Sequence, residues 1–145
     1  MKKGGMNVTY KTGLKNMDMA RVTDMLSKTY WSPGIGLAEV TKAAQNSALV
    51  IGAFGEDGRQ IGYGRVISDR TRFAYLTDFY VEEEYRGAGI AQEMIDRALA
   101  APELSDVYQW LLITKDAHGL YRKKGFVPTK RPQDLMEIRR PRPER

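Results

Sequence analysis

Apolar and polar residues alternate in "VTYKT", residues 8 to 12, which predicts a strand at the edge of a sheet. From residue 19 the spacing lengthens: Met19, Val22, Met25, Leu26 and Tyr30 recur about one helical turn apart, predicting a helix over 16–29. "WSPGIG" ends it, because Pro33 disfavours helical geometry at Ser32 and two glycines follow; "LAEVTKAAQN" then reads as a second short helix. "ALVIGAF" and "QIGYGRVI" flank the turn-forming "GEDGR" and predict a hairpin. "FAYLTDFYV", rich in aromatic and β-branched residues, follows the polar turn "SDRT" and adds a third antiparallel strand.

At "YRGAGIAQEM" the period changes from two to 3.6. Ile90, Ala91, Met94, Ile95, Ala98 and Leu99 form one stripe opposite Gln92, Glu93, Asp96 and Arg97, which predicts a helix packed on the sheet. Beyond Pro102, "YQWLLIT" reads as a buried strand and "AHGLYRKK" as a short helix, with "GFVP" and "DLMEIRR" as two closing strands. A strand, a helix and a second strand in that order form a crossover, so one strand pair runs parallel within an otherwise antiparallel sheet. The class is mixed α/β, and residues 1–145 fit one domain.

Composition narrows the chemistry. With no cysteine and one histidine, the chain offers no disulfide framework and no thiolate nucleophile, and it argues against a metal site. The longest apolar run, "SALVIGAF", is far shorter than a bilayer span, and "MKKGGMNVTY" lacks the apolar core of a secretion signal. A cytoplasmic protein without a membrane role is the expectation. The net charge of +5 is C-terminal in origin, since residues 122–145 hold nine Lys or Arg against three acidic residues. An anionic partner is one reading of that excess; a solvated tail, flexible over about 140–145, is the other. No nucleic-acid recognition motif accompanies it.

The glycine turn carries the sharpest signal. Unpaired N–H groups at a helix N-terminus bind anions, and glycine lets an anion approach, although a glycine also serves merely to turn the chain sharply. A dinucleotide fingerprint would need a glycine at Gln92, and a phosphate loop would need Gly-Lys-Ser/Thr; neither is present. What remains, "DFYVEEEYRGAGIAQEMI", closely resembles the acetyl-CoA signature of the GNAT N-acetyltransferases. "DAHGLYRKKGF" likewise resembles that family's later segment. The order of elements agrees along nearly the whole chain. The resemblance implies a GNAT-type fold: a mostly antiparallel sheet of six or seven strands, about four helices and a splayed parallel pair.

It also implies acetyl transfer from acetyl-CoA to a primary amine by direct attack in a ternary complex. The alternative is a non-catalytic acyl-CoA sensor or partner-binding module on the same fold. Gly87, Ala88, Gly89, Ile90 and Ala91 would hold the CoA pyrophosphate by backbone, with Ile90's side chain pointing into the core. Arg86 would touch phosphate or brace the loop against Glu82, Glu83 or Glu84. Phe79, Tyr80 and Val81 would line the pantetheine arm; alternation sends Asp78 and Tyr80 to one face and Phe79 and Val81 to the other unless a bulge intervenes. Tyr121 matches the family's acid, beside a plain reading as a packed aromatic. Asp78, an acid within an apolar strand, is the first candidate base, beside an equal reading as a structural hydrogen-bond partner, and ahead of the three glutamates, which otherwise read as solvated. Asp116 would contact cofactor or cap a helix. His118 would shuttle protons or line the acceptor mouth, or is a plain surface histidine; Tyr30 and Trp31 would wall that mouth or form a packing corner. The acceptor is a small-molecule or protein amine, and the resemblance admits a homodimer.

Overall fold

The computed structural model describes residues 7–145; the N-terminal "MKKGGM" of the secretion-signal argument lies outside the described residues. Five strands form one sheet in chain order: β1 (Thr9–Thr12), β2 (Leu49–Phe54), β3 (Gln60–Ser68), β4 (Phe73–Val81) and β5 (Gln109–Leu112). The first three pairings are antiparallel and the β4–β5 pairing is parallel. Four helices accompany them: α1 (Met19–Ser27), α2 (Leu37–Gln45), α3 (Ile90–Leu99) and α4 (His118–Arg122).

The sheet is covered on both faces, which is why every residue of β2 is buried. Val50 and Phe54 join Val22, Met25, Leu26, Val40 and Ala44 of α1 and α2 in one core. Ile51 and Ala53 point the other way and pack with Ile90 and Met94 of α3. A further cluster joins Ile95 and Ala98 to Val66, Ala74 and Leu76. Helix α1 begins three residues later than the periodicity suggests, because Leu14–Asn16 makes a separate 3-10 turn and the Asp18 side chain accepts from the Arg21 N–H as an N-cap.

The two closing strands expected at "GFVP" and "DLMEIRR" do not form, so among the described residues the sheet has five strands rather than six or seven. Prolines 128, 132, 141 and 143 withdraw N–H donors along this stretch, and Pro132–Asp134 closes a 3-10 turn instead. The end of the chain, read as a loose tail, folds back: Arg142 donates to the Trp31 carbonyl (3.1 Å) and Arg145 to Glu39 (2.7 Å). No helix among the described residues is long and apolar enough to cross a membrane.

Glu82, read as solvated from its place in an acidic run, is instead buried at the end of β4. It accepts from Arg21 and Lys28 of α1 and the turn after it, both at 2.8 Å. Burial alone would raise its carboxyl, but the Lys28 hydrogen bond and the charges of Lys28 and Arg21 outweigh that and hold it below the usual carboxylate range. A carboxyl lowered on folding contributes stability that is complete above its unfolded value and lost as pH falls through its folded one. Glu82→Gln is therefore expected to cost about 2 kcal/mol at neutral pH. The difference from the parent should shrink towards pH 3, as read from urea midpoints at both pH values.

Candidate active site

Strand β4 pairs with β5 only over Phe73–Leu76, so from Thr77 to Val81 its edge lacks a strand partner and a gap opens between the parallel neighbours. The cause on the β3 side is a bulge. Tyr63 faces Tyr80 and Arg65 faces Thr77, leaving both Asp78 and Phe79 opposite the single residue Gly64. Asp78 takes the left-handed conformation at φ 60°, uncommon for a side-chain-bearing residue. Gly64 makes room there, since a β-carbon would lie 2.6 Å from the Phe79 ring and would have to displace it.

The bulge resolves the question of faces. Ala74 and Leu76 point towards α3, so simple alternation would send Asp78 the same way. The extra residue turns it to the α1–α2 side instead. Beyond it Tyr80 packs on that side while Val81 packs towards α3. On its new side Asp78 is held at both oxygens, accepting from Arg65 Nε at 2.7 Å and from Trp31 Nε1 at 3.0 Å. Arg65 in turn donates to Ser47 at 3.3 Å. Arg65 went unnominated in the sequence, although a cation inside "QIGYGRVI" one strand from a lone aspartate is a readable sign of a buried pair.

At the end of the gap stands the glycine turn. Gly87 and Gly89 have φ of 85° and 78°, with open space where side chains would go, so backbone torsion rather than packing requires glycine. Gly89 caps α3, whose first-turn N–H groups have no partners within the helix. They border a cleft of about 240 Å³ lined by Val81, Arg86, Gly87, Gly89, Ala91 and Leu120 among others. Ile90's side chain is buried, as its place in the apolar stripe predicts. Arg86 braces the loop, though not through a glutamate: its Nε donates to the Val81 carbonyl at 2.8 Å, and its guanidinium lies 5.1 Å from the Tyr80 ring centre.

Tyr121 lies on α4, its ring edge-on to Phe126 at 5.8 Å. Burial, then the neighbouring Tyr30, pushes its phenol above the ordinary tyrosine value, so it carries its proton at neutral pH. Lys124 ties this helix to α3 by a 2.9 Å bond to Asp96. Tyr30 links the loop after α1 to the β5–α4 connection: its ring meets Trp31 edge-on at 5.0 Å, and its hydroxyl accepts from the Lys115 N–H at 3.3 Å. The structure thus brings Tyr30, Trp31, Asp78 and Tyr80 to one side of the gap, with Tyr121 within electrostatic reach of Tyr30. Asp116 is exposed on the β5–α4 connection and His118 is exposed at the first residue of α4. No side chain caps α4; Thr114 accepts from the Ala117 N–H just ahead of it, leaving Asp116 without the capping role considered for it.

A splayed parallel pair beside a glycine turn that opens a helix defines the acetyl-CoA-binding fold of the acetyltransferases. The acetyltransferase (GNAT) domain profile matches residues 46–128, and this chain belongs to the GNAT acetyltransferase family. A GNAT-family protein of Xanthomonas campestris pv. campestris is 40% identical, with 93% of this chain and 94% of that one covered and a TM-score of 0.86. A protein of Clostridium acetobutylicum solved with acetyl-CoA shares the fold at 20% identity (92% and 96% covered, TM-score 0.70). An aminoglycoside N-acetyltransferase in complex with CoA does so at 16% identity (94% and 96% covered, TM-score 0.68). No protein of curated function matches the chain.

Proposed function

We propose that this protein transfers the acetyl group of acetyl-CoA to a primary amine by direct attack within a ternary complex. The observation that carries the reading is the gap itself. A strand edge left open from Thr77 to Val81 leads to the free N–H groups of α3, matching an amide-bearing arm that ends in a pyrophosphate.

The pyrophosphate sits on the backbone of Gly87 to Ala91, and the arm runs along Phe79, Tyr80 and Val81. The acceptor enters on the other side, between the Tyr30–Trp31 wall and the stretch from Asp116 to His118 at the start of α4. After receiving Arg65 and Trp31, the Asp78 oxygens keep lone pairs for a water, through which the incoming ammonium loses its proton. The neutral nitrogen attacks the thioester carbon, the C–S bond of the tetrahedral adduct breaks as Tyr121 gives its proton to the departing sulfur, and the extra proton left on the nitrogen passes through water to restore the phenol, leaving the neutral amide and the thiol.

Thermal unfolding tests the donor half. At about 100 times its dissociation constant, acetyl-CoA should add roughly 2.7 kcal/mol and raise the midpoint by several degrees, whereas NAD should add nothing. No shift at saturation would remove the cofactor assignment. A shift without thiol release across a broad panel of amines would favour an acyl-CoA sensor.

A further inference from the structure

The basic excess near the end of the sequence is brought to the acceptor side of the gap. Arg145 donates to Glu39 of α2 at 2.7 Å with its side chain only 11% exposed, and a β-carbon at Gly34 would lie 3.3 Å from that of Arg145. The "RPRPER" stretch is thereby pressed onto the loop that carries Tyr30 and Trp31. Within it, Arg142 donates through Nη1 to the Trp31 carbonyl at 3.1 Å. Pro141 before it and Pro143 after it restrict the backbone on both sides, so little freedom is left to lose when Arg142 engages a ligand.

The bond to Trp31 uses one end of the guanidinium. Its opposite edge, Nε with Nη2, donates to nothing among the described residues, and the residue is exposed. That edge is the fork that grips a carboxylate through two parallel hydrogen bonds. Other arginines beside the site are already occupied: Arg65 by Asp78, Arg21 by Glu82 and Arg145 by Glu39. Lys115 Nζ stands 5.4 Å from the centre of the Tyr30 ring and also holds no carboxylate. The exposed acids Asp116 and Glu144 offset these two cations in bulk, so the free fork, rather than net charge, is what discriminates between ligands.

We propose that the acceptor is a primary amine carrying a carboxylate several bonds from the nitrogen, with the carboxylate gripped by Arg142 Nε and Nη2. The spacing follows from the wall itself. One tryptophan residue separates the fork from Asp78, since Trp31 accepts from Arg142 at its carbonyl and donates to Asp78 at its indole. A ligand that presents its amine to the water at Asp78 and its carboxylate to Arg142 must hold the two groups apart by a comparable length. The inference rests on reading the gap as an acetyl-transfer site, and it selects one class among the amines that such a site could take.

Initial rates of thiol release with ε-aminocaproate, hexylamine and hexamethylenediamine provide the test. The kcat/KM for ε-aminocaproate should exceed that for hexylamine about 30-fold, with the diamine lower still. Arg142→Gln should abolish that preference, mostly through KM. Arg140→Gln, which removes the same charge from an exposed neighbour, should retain it. Titration calorimetry of ε-aminocaproate into the CoA-bound protein separates the two readings: binding that depends on Arg142 without thiol release would keep the carboxylate site and overturn acetyl transfer. Absence of binding, equal or faster turnover of hexylamine or the diamine, or a preference that survives Arg142→Gln would each overturn the proposal.

Discussion

Tyr121→Phe is expected to lower the turnover number for acetyl transfer about 100-fold, with the KM for acetyl-CoA little changed. The phenyl ring keeps the edge-on contact with Phe126, so the substitution removes a proton and little else. Without that proton the sulfur departs as a thiolate, whose conjugate acid has a pKa of about 8.5 by analogy with cysteine. Such a leaving group is tolerable at neutral pH, which places the loss near the lower end of the range for general acids. Burial raises the Tyr121 phenol above 10, so the acid form and its contribution persist through neutral pH and are lost only as pH rises past that value. The parent's rate should therefore fall at high alkaline pH and the variant's should lack that limb, as measured by initial rates of thiol release. Unchanged turnover would remove the acid role.

Arg65→Met is expected to destabilise the fold by about 3 to 5 kcal/mol and to weaken acetyl-CoA binding. The Asp78 carboxylate is almost fully buried, and methionine keeps much of the side-chain volume while leaving one carboxylate oxygen without its cationic partner. Asp78 also occupies a left-handed conformation that costs on the order of 1 to 3 kcal/mol and persists because its surroundings hold it there. Relaxing it would shift the bulge and hence the open edge along Phe79 to Val81 on which the arm of acetyl-CoA lies. Arg65→Lys, which restores charge but not the planar fork, should recover part of the stability. Urea unfolding together with titration of acetyl-CoA measures both effects, and an unaltered affinity in a folded Arg65→Met protein would show that the bulge does not depend on this pair.

The parts of the molecule governed by short-range pattern were readable in advance. Strand β4 begins and ends where "FAYLTDFYV" does, and α3 spans the apolar stripe from Ile90 to Leu99, because each element's own periodicity is set by the layer it packs on. The glycine turn was readable because its torsions exclude other residues. The bulge was not, since alternation shows which residues share a face but not where one extra residue resets the phase. Glu82 shows the same limit: its neighbours in sequence are exposed acids, and only the distant Arg21 and Lys28 make its burial favourable. The closing strands failed in the opposite sense, for "DLMEIRR" has strand chemistry, yet no β-carbon pattern can supply the partner that a strand needs.

The single indole bond from Trp31 to Asp78 also bears on engineering. A designer who replaces residues 28–36 to admit a different amine is not working on an independent module, because one of the two bonds that hold the Asp78 carboxylate leaves with the old loop. Grafts that retain a donor at Trp31's position should preserve donor affinity while acceptor preference changes. Those that lack it would couple every gain in acceptor scope to a loss on the acetyl-CoA side.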